Sequence, residues 1–232
     1  MARGVYPLAG FAPEDQLKKK IINQLTARGL IKVARYPSTN AIVIADKSFN
    51  GKYLDPVYWE LNIHDPMGLI NDIEQVAQKN SSWPTSWWAQ FRDVWYEIAF
   101  SECLEFYIYQ SEIRNLLIPS RSAVELMLQN LLKVFSVSQC YQIIYSGAQQ
   151  TADFIILNES NRHQASNYMI GACQRRGERA RAEGWVLKGF YRDFNLPQSS
   201  ISRVYFDQFL RIGERGFTQC PFSAQQIDIT CA

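Results

Sequence analysis

The fold of this chain is constrained most by three helix-start signals that follow one another in its second half. In a capping box, the side chain at the N-cap and a Glu or Gln three residues later each satisfy a free backbone N–H group of the first turn. The pattern occurs at Ser122 with Glu125, at Ser136 with Gln139 and, in a looser form, at Asn161 with Gln164. The helices that these signals predict end near Phe135, Asn158 and Glu183.

Apolar periodicity supports the same helices and adds others. Six residues of the middle helix recur at a spacing that places them on one face: Val137, Tyr141, Ile144, Ala148, Ala152 and Ile155. Pro66 and Pro84 precede further segments with helical spacing, and the second segment runs to about Leu117, long enough to require a kink or a break. Ser199 precedes a last helix that Gly213 should end. We therefore expect a mainly α protein with a multi-helix core.

A small N-terminal α/β element is predicted ahead of this core. Pro13 is well placed to open a helix, and Gly29 is well placed to end it. The segments 31–36 and 41–45 have strand character and flank a polar turn, which predicts a β-hairpin. We accordingly divide the chain into a basic helix-hairpin element, residues 1–65, and a helical core domain, residues 66–232.

Charge is distributed unevenly along the chain, although the net charge is only +2. Residues 1–53 hold nine Lys and Arg against three Asp and Glu, whereas residues 54–118 hold three against ten. The remaining residues hold twelve against nine. A basic block at one end and an acidic block beside it favour charge-guided binding to a polyanion or to a charged protein surface.

Residues 13–45 resemble the second half of a winged helix-turn-helix, since a basic helix precedes two short strands around a polar turn. The resemblance implies that the helix enters the major groove of DNA and that the strands contact phosphate. The side chains that would make these contacts are Lys18, Lys19, Lys20, Lys32 and Arg35. We expect the first three on the exposed side of the helix. Only twelve residues precede Pro13, whereas a winged helix needs further helices there, so a solvated lysine face is the alternative.

A second basic cluster lies in the last two turns of the helix that is predicted to end near Glu183. Arg175 and Arg179 share a helix face, and Arg176 lies beside them. Arginines in this arrangement bind phosphates, carboxylates or an acidic protein partner. The alternative is that they offset the helix macrodipole and pair with neighbouring glutamates.

The sequence contains no complete catalytic or metal-binding motif. It lacks a P-loop and a G-x-G-x-x-G loop, and neither His64 nor His163 follows a Glu at the spacing of a carboxylate-bridged metal site. We therefore predict no catalytic residues, no metal ligands and no cofactor. An enzyme stays open only if residues distant in sequence assemble a site on folding.

The cysteines and the hydropathy of the chain indicate the cellular compartment of the protein. The five cysteines are scattered without a C-x-x-C pair, which favours free thiols and a cytoplasmic protein. The most apolar stretch, 94–109, contains three glutamates, so we predict no membrane association.

Two functional hypotheses follow. The first is a non-enzymatic nucleic-acid-associated protein that binds the phosphate backbone of DNA or RNA through the N-terminal helix-hairpin and the arginine-rich helix. The second is a protein–protein interaction or inhibitor module whose charged blocks match a partner and which has no nucleic-acid role.

Overall fold

The computed structural model describes residues 10–33, 42–44, 57–79, 83–158 and 162–221, and these form a mainly helical protein. The α-helices are α1 Asp15–Ala27, α2 Pro66–Gln78, α3 Thr85–Glu112, α4 Arg121–Leu132, α5 Val137–Asn158, α6 Arg162–Ala182, α7 Ser200–Arg203 and α8 Arg215–Thr218. The strands are β1 Ile31–Val33, β2 Ile42–Ile44 and β3 Val57–Leu61. The mainly α class is confirmed.

The capping box at the start of α5 is present with both of its hydrogen bonds. The backbone N–H of Ser136 donates to Oε1 of Gln139 at 3.0 Å, and the N–H of Gln139 donates to Oγ of Ser136 at 3.2 Å. The box predicted at Ser122 is wrong, because Ser120 is the N-cap of α4 and Glu125 instead accepts a hydrogen bond from Arg121. The Arg121 side chain on the same helix thus binds the carboxylate that the predicted capping box requires. Asn161, the start signal for α6, lies outside the described residues.

The apolar face of α5 forms the centre of the core. Val137, Tyr141, Ile144 and Ala148 are all buried, with at most 1% of their surface exposed. The α5 helix packs along α6 on one side and along α3 on the other. The ring of Tyr141 stacks on Phe106 of α3 with 3.9 Å between ring centroids. The predicted stripe is therefore correct over the first three turns of the helix.

The long helix predicted after Pro84 ends earlier than expected. It runs as one helix from Thr85 to Glu112, and Asn115 then adopts a left-handed conformation with φ of 53°. Asn is one of the few residues that take this conformation at low cost, so the chain reverses there before Leu117. Of the predicted kink or break, the structure has a break, at the turn that follows Glu112.

The N-terminal sheet is antiparallel and has β3 at its centre. The described strands lie in the order β1-β3-β2, with Ile31 opposite Leu61 and Ile42 opposite Trp59. The direct pairing that we predicted between the first two strands is therefore wrong, and the antiparallel neighbours in sequence are β2 and β3. Two three-residue strands bury little surface against each other, and both gain from pairing with the longer, aromatic β3.

Contacts join the N-terminal element to the helices. Leu17 of α1 is buried in the same apolar core as α3. Before α1, the carbonyls of Gly10 and Phe11 accept hydrogen bonds from the N–H groups of Ser200 and Ile201, both at 2.9 Å. The boundary at residue 65 between two units stays a prediction.

The last predicted helix is interrupted. Ser199 caps α7 as expected, accepting a hydrogen bond from the N–H of Ser202 at 3.3 Å. The chain then widens into a π-helical turn over Val204–Phe209, and the short helix α8 comes after it within the described residues. The π turn places both Tyr205 and Phe206 in the interior, which a regular helix with 100° per residue cannot do as readily. The single helix predicted to reach Gly213 is therefore wrong.

A candidate nucleic-acid interface

Two of the N-terminal lysines form ion pairs with carboxylates of the protein, one of them buried and the other exposed. Lys18 is buried, 7% exposed, with its ammonium 3.6 Å from the Asp15 carboxylate. The expectation that it lies on the exposed side of the helix is therefore wrong, because the buried face of α1 includes it together with Leu17. Lys20 donates to the carboxylate of Glu97 on α3.

The other predicted N-terminal contacts are distributed over a wider area. Lys19 is exposed, and Lys32 lies 3.2 Å from the carboxylate of Glu60 in the neighbouring strand. Arg35 lies outside the described residues. Exposed ion pairs contribute little stability, so Lys20 and Lys32 can exchange a carboxylate for a phosphate at small cost. The N-terminal element is thus a secondary candidate, carried by Lys19, Lys20 and Lys32.

The second predicted cluster is assembled as a continuous surface, which we call the arginine stripe: Arg175, Arg176 and Arg179. These side chains lie within about 100° of one another around α6. Arg175 and Arg179 are exposed, and Arg176 is half-buried. Three guanidinium groups on one helix face form a local positive surface suited to a polyanion.

Arg175 is braced by two aromatic rings. Its guanidinium carbon lies 5.2 Å from the centre of the Tyr168 ring, and Tyr168 stacks on Phe154 of α5 at 4.2 Å. A guanidinium that lies over a ring still directs its N–H groups outward in the ring plane, where they can donate to phosphate oxygens. The stack thereby holds the charge in place before any ligand binds.

Arg176 borders a groove of about 590 Å³. Its Nε donates to Oε1 of Gln142 on α5 at 3.4 Å, which orients the side chain along the groove. The other wall is formed by the segment that follows α6, and the groove, which we call the α6 groove, is lined by Gln142, Arg176, Trp185, Val186, Leu187, Lys188, Gly189, Phe190 and Tyr191.

The wall of the α6 groove is pinned to the start of α5. Oγ of Ser138 donates to the carbonyl of Phe190 at 2.7 Å, and the N–H of Phe190 donates to the carbonyl of Ser138 at 3.0 Å. Nε2 of Gln139 donates to the carbonyl of Leu187 at 3.3 Å. Gly189 passes so close that an added Cβ would lie 2.0 Å from Oγ of Ser138. The backbone of this wall is therefore fixed by the helix core.

Tyr191 projects from this fixed wall. It is 93% exposed, although both of its neighbours point inward. Phe190 packs edge-on against Tyr145 at 5.4 Å, and Arg192 donates to the buried Glu102 at 2.8 Å. The two anchored neighbours therefore define the backbone position from which the Tyr191 ring projects.

Trp185 and Lys188 complete the functional side chains of the groove. Gly184 ends α6 with φ of 63°, which turns the chain so that Trp185 follows at the rim with 41% of its surface exposed. Lys188 is exposed, and it lies between the buried Leu187 and Gly189. The sequence signal that could have found this site is the alternation of rings and cations over 185–192, between the two last predicted helices.

The charge balance of this region favours anions. Residues 175–192 carry six Lys and Arg and two Glu, and Arg192 is the one cation of the six that is paired with a buried carboxylate. Among the residues that the structure describes, no three His, Cys, Asp or Glu side chains are arranged to hold a metal ion. Within the same residues, no helix has both the length and the apolar surface to cross a bilayer.

No protein-family model, no curated protein and no solved structure matches this chain.

Proposed function

We propose that this is a nucleic-acid-associated protein that binds the phosphate backbone of DNA or RNA and catalyses no reaction. The observation that carries the proposal is the arginine stripe beside the α6 groove, where Arg175 and Arg176 are each oriented by a neighbouring side chain. Pre-oriented guanidinium groups lose less entropy on binding than free ones. Lys19, Lys20 and Lys32 act as a second, weaker contact surface.

Phosphate suits this surface because its charge is spread over several oxygens that a guanidinium fork can bind in pairs. Such contacts carry no sequence information, so binding should be general with respect to base sequence. They also displace condensed counterions, so the affinity should fall steeply with salt.

The test is fluorescence anisotropy with labelled duplex and single-stranded DNA and RNA over a salt series. Replacing Arg175 and Arg179 together by Gln should weaken binding to all sequences and reduce the slope of log K against log salt by up to about 2 on duplex DNA. The matched control replaces two exposed cations by Gln: Lys79, which follows the last residue of α2, and Arg92 on α3. The control has the same net charge and should keep most of the slope.

The proposal fails if the wild-type chain binds neither DNA nor RNA at low salt. If both double variants lose affinity equally, the protein still binds nucleic acid and only the assignment to the arginine stripe is wrong. In the second case a diffuse charge effect, rather than the arginine stripe, governs binding. The arginine stripe is then free to serve an acidic protein partner.

A protein-interaction module is the second candidate, and an apolar row on α2 favours it. Four apolar residues of this helix are exposed: Met67 at 64%, Ile70 at 46%, Ile73 at 47% and Val76 at 39%. Exposed rows of this kind on an amphipathic helix dock into grooves of partner proteins. Sedimentation over a concentration series tests the simplest partner, a second copy, and Ile70→Glu should then weaken a reversible dimer.

A further inference from the structure

The shape of the α6 groove discriminates between classes of nucleic acid. An element that reads duplex DNA is convex, since it inserts into the major groove. The α6 groove is concave, and its volume of about 590 Å³ lies in the range of sites for small organic ligands. A rigid duplex cannot enter a recess of this size, whereas a single strand can place an unstacked base in it.

The rings at the groove are positioned to receive such a base. Tyr191 is 93% exposed and is held between the anchored residues Phe190 and Arg192, while Trp185 lies at the other end of the wall with 41% of its surface exposed. Two exposed rings on the wall of one groove offer faces that a ligand in the groove can cover. Stacking of a base on an aromatic ring needs no particular base, because every base has a π face.

Cations alternate with these rings. Lys188 lies three residues after Trp185 and three residues before Tyr191, so its Cα is at most roughly 11 Å from the Cα of either ring residue. Arg176 lines the same groove from α6, where its Nε donates to Gln142 and its terminal nitrogens supply further donors. Phosphates that flank a stacked base would therefore meet a charge on both walls.

We infer that the α6 groove binds single-stranded nucleic acid, with bases stacked on Trp185 and Tyr191 and with phosphates on Arg176 and Lys188. The inference rests on the proposed function and names the class of nucleic acid that the site takes. An acidic peptide would use the cations but would gain little from the two rings, so it fits the groove less completely.

The experiment compares a labelled 15-nucleotide oligo(dT), oligo(U) of the same length and a mixed-sequence duplex by anisotropy. Single strands should bind more tightly than duplex. Tyr191→Ala and Trp185→Ala should each weaken single-strand binding by roughly 5- to 100-fold, because one stacked base is lost. Tyr191→Phe keeps the ring and should bind like the wild type.

The matched control is Phe194→Ala, which removes a ring that is 69% exposed and that lies three residues further along the same segment, outside the groove lining. It should bind like the wild type.

Salt dependence separates the roles of the groove residues. Tyr191→Ala should leave the slope of log K against log salt unchanged, whereas Arg176→Gln should reduce it by about 0.7 on a single strand. Circular dichroism melts of each variant confirm that the fold is kept.

Two failures are distinguishable. If no nucleic acid binds at low salt, the proposed function is wrong, and binding of polyglutamate under the same conditions assigns the surface to an acidic protein. If duplex and single strand bind equally, or if Tyr191→Ala and Phe194→Ala bind alike, the protein associates with nucleic acid through its charges alone. The single-strand inference is then wrong while the proposed function stands.

Discussion

Arg192 donates from Nη1 to Oε1 of Glu102 at 2.8 Å inside the core, and this contact joins residues 90 positions apart in the chain. The same carboxylate oxygen accepts from Oγ of Ser202 at 2.9 Å. The guanidinium also lies over the ring of Phe217, 4.2 Å from its centre. One buried carboxylate of α3 therefore fixes the segment after α6 and the start of α7, and through Arg192 it fixes the position from which Tyr191 projects.

Replacing Arg192 by Met should destabilise the protein in a pH-dependent way. Burial raises the pKa of Glu102, and the charge of Arg192 partly lowers it again. Without Arg192 the pKa of Glu102 rises further, so the folded state binds a proton that the unfolded state has released. The loss should be about 3–5 kcal/mol at pH 8, where the unpaired carboxylate must stay charged or take up a proton, and smaller at pH 5.5.

Urea denaturation at the two pH values measures this difference. The double variant Glu102→Gln with Arg192→Met removes both charges and should recover part of the stability lost at pH 8. Equal losses at pH 5.5 and pH 8 would contradict a role for the Glu102 charge.

Glu105, one turn further along α3, should make the protein less stable as the pH rises. Burial first, and the charge of Glu102 second, raise the pKa of Glu105 from 4.5 to about 8. Between these values the folded state holds a proton that the unfolded state has lost, so the free energy of unfolding falls from about pH 4.5 to about pH 8. Glu105→Gln should remove this part of the pH dependence and should be more stable than the wild type at pH 8. Chemical denaturation of the wild type and the variant across this pH range checks the prediction. If the two plots of unfolding free energy against pH are parallel, the pKa of Glu105 is the same in the folded and unfolded states, and the prediction is wrong.

Local signals in the sequence were sufficient for the mainly helical class and for the start and apolar face of α5. The start of α5 and its apolar face follow from residues that contact one another within one or two turns, such as Ser136 and Gln139. Such contacts depend on backbone spacing alone, and spacing can be read from a sequence. The arginine stripe was found for the same reason, since Arg175 and Arg179 are one turn apart on a single helix.

Contacts between residues that are far apart in the sequence could not be predicted in this way. Glu102 lies in the acidic block of residues 54–118, yet it is 2% exposed because Arg192 and Ser202 reach it from distant parts of the chain. The groove was missed for the same reason. Its wall depends on two hydrogen bonds between Ser138 and Phe190, which lie 52 residues apart in the chain. A single sequence shows neither the partner nor the distance that makes such a contact.

Two isoleucines of α5 provide a direct check of the core. Ile144 is fully buried, and Ile144→Ala should cost about 2–4 kcal/mol through lost burial and a residual cavity. Ile156 is 77% exposed on the same helix, so Ile156→Ala should change stability by less than about 0.5 kcal/mol. Thermal and urea unfolding of both variants measure the contrast. Similar costs at the two positions would mean that the buried face of α5 has been assigned wrongly.

The close approach of Gly189 to Ser138 yields the last prediction, which concerns how rigidly the groove wall is held. In Gly189→Ala the new Cβ would lie 2.0 Å from Oγ and 2.9 Å from Cβ of Ser138, so the wall must move away from α5. The cost should be about 1–3 kcal/mol, as for other overpacked sites. Ser138→Ala removes only the hydrogen bond to the Phe190 carbonyl and should cost about 1 kcal/mol.

A double-mutant cycle separates the clash from other effects. Ser138→Gly removes both atoms that the new Cβ would strike, so Gly189→Ala should cost less in that background than in the wild type, a favourable coupling measured by urea denaturation. Strictly additive costs would show that the wall tolerates a side chain at this position without a clash. Because the displaced wall carries Tyr191, Gly189→Ala should also weaken oligo(dT) binding, while Ser138→Gly with Gly189→Ala should recover part of it.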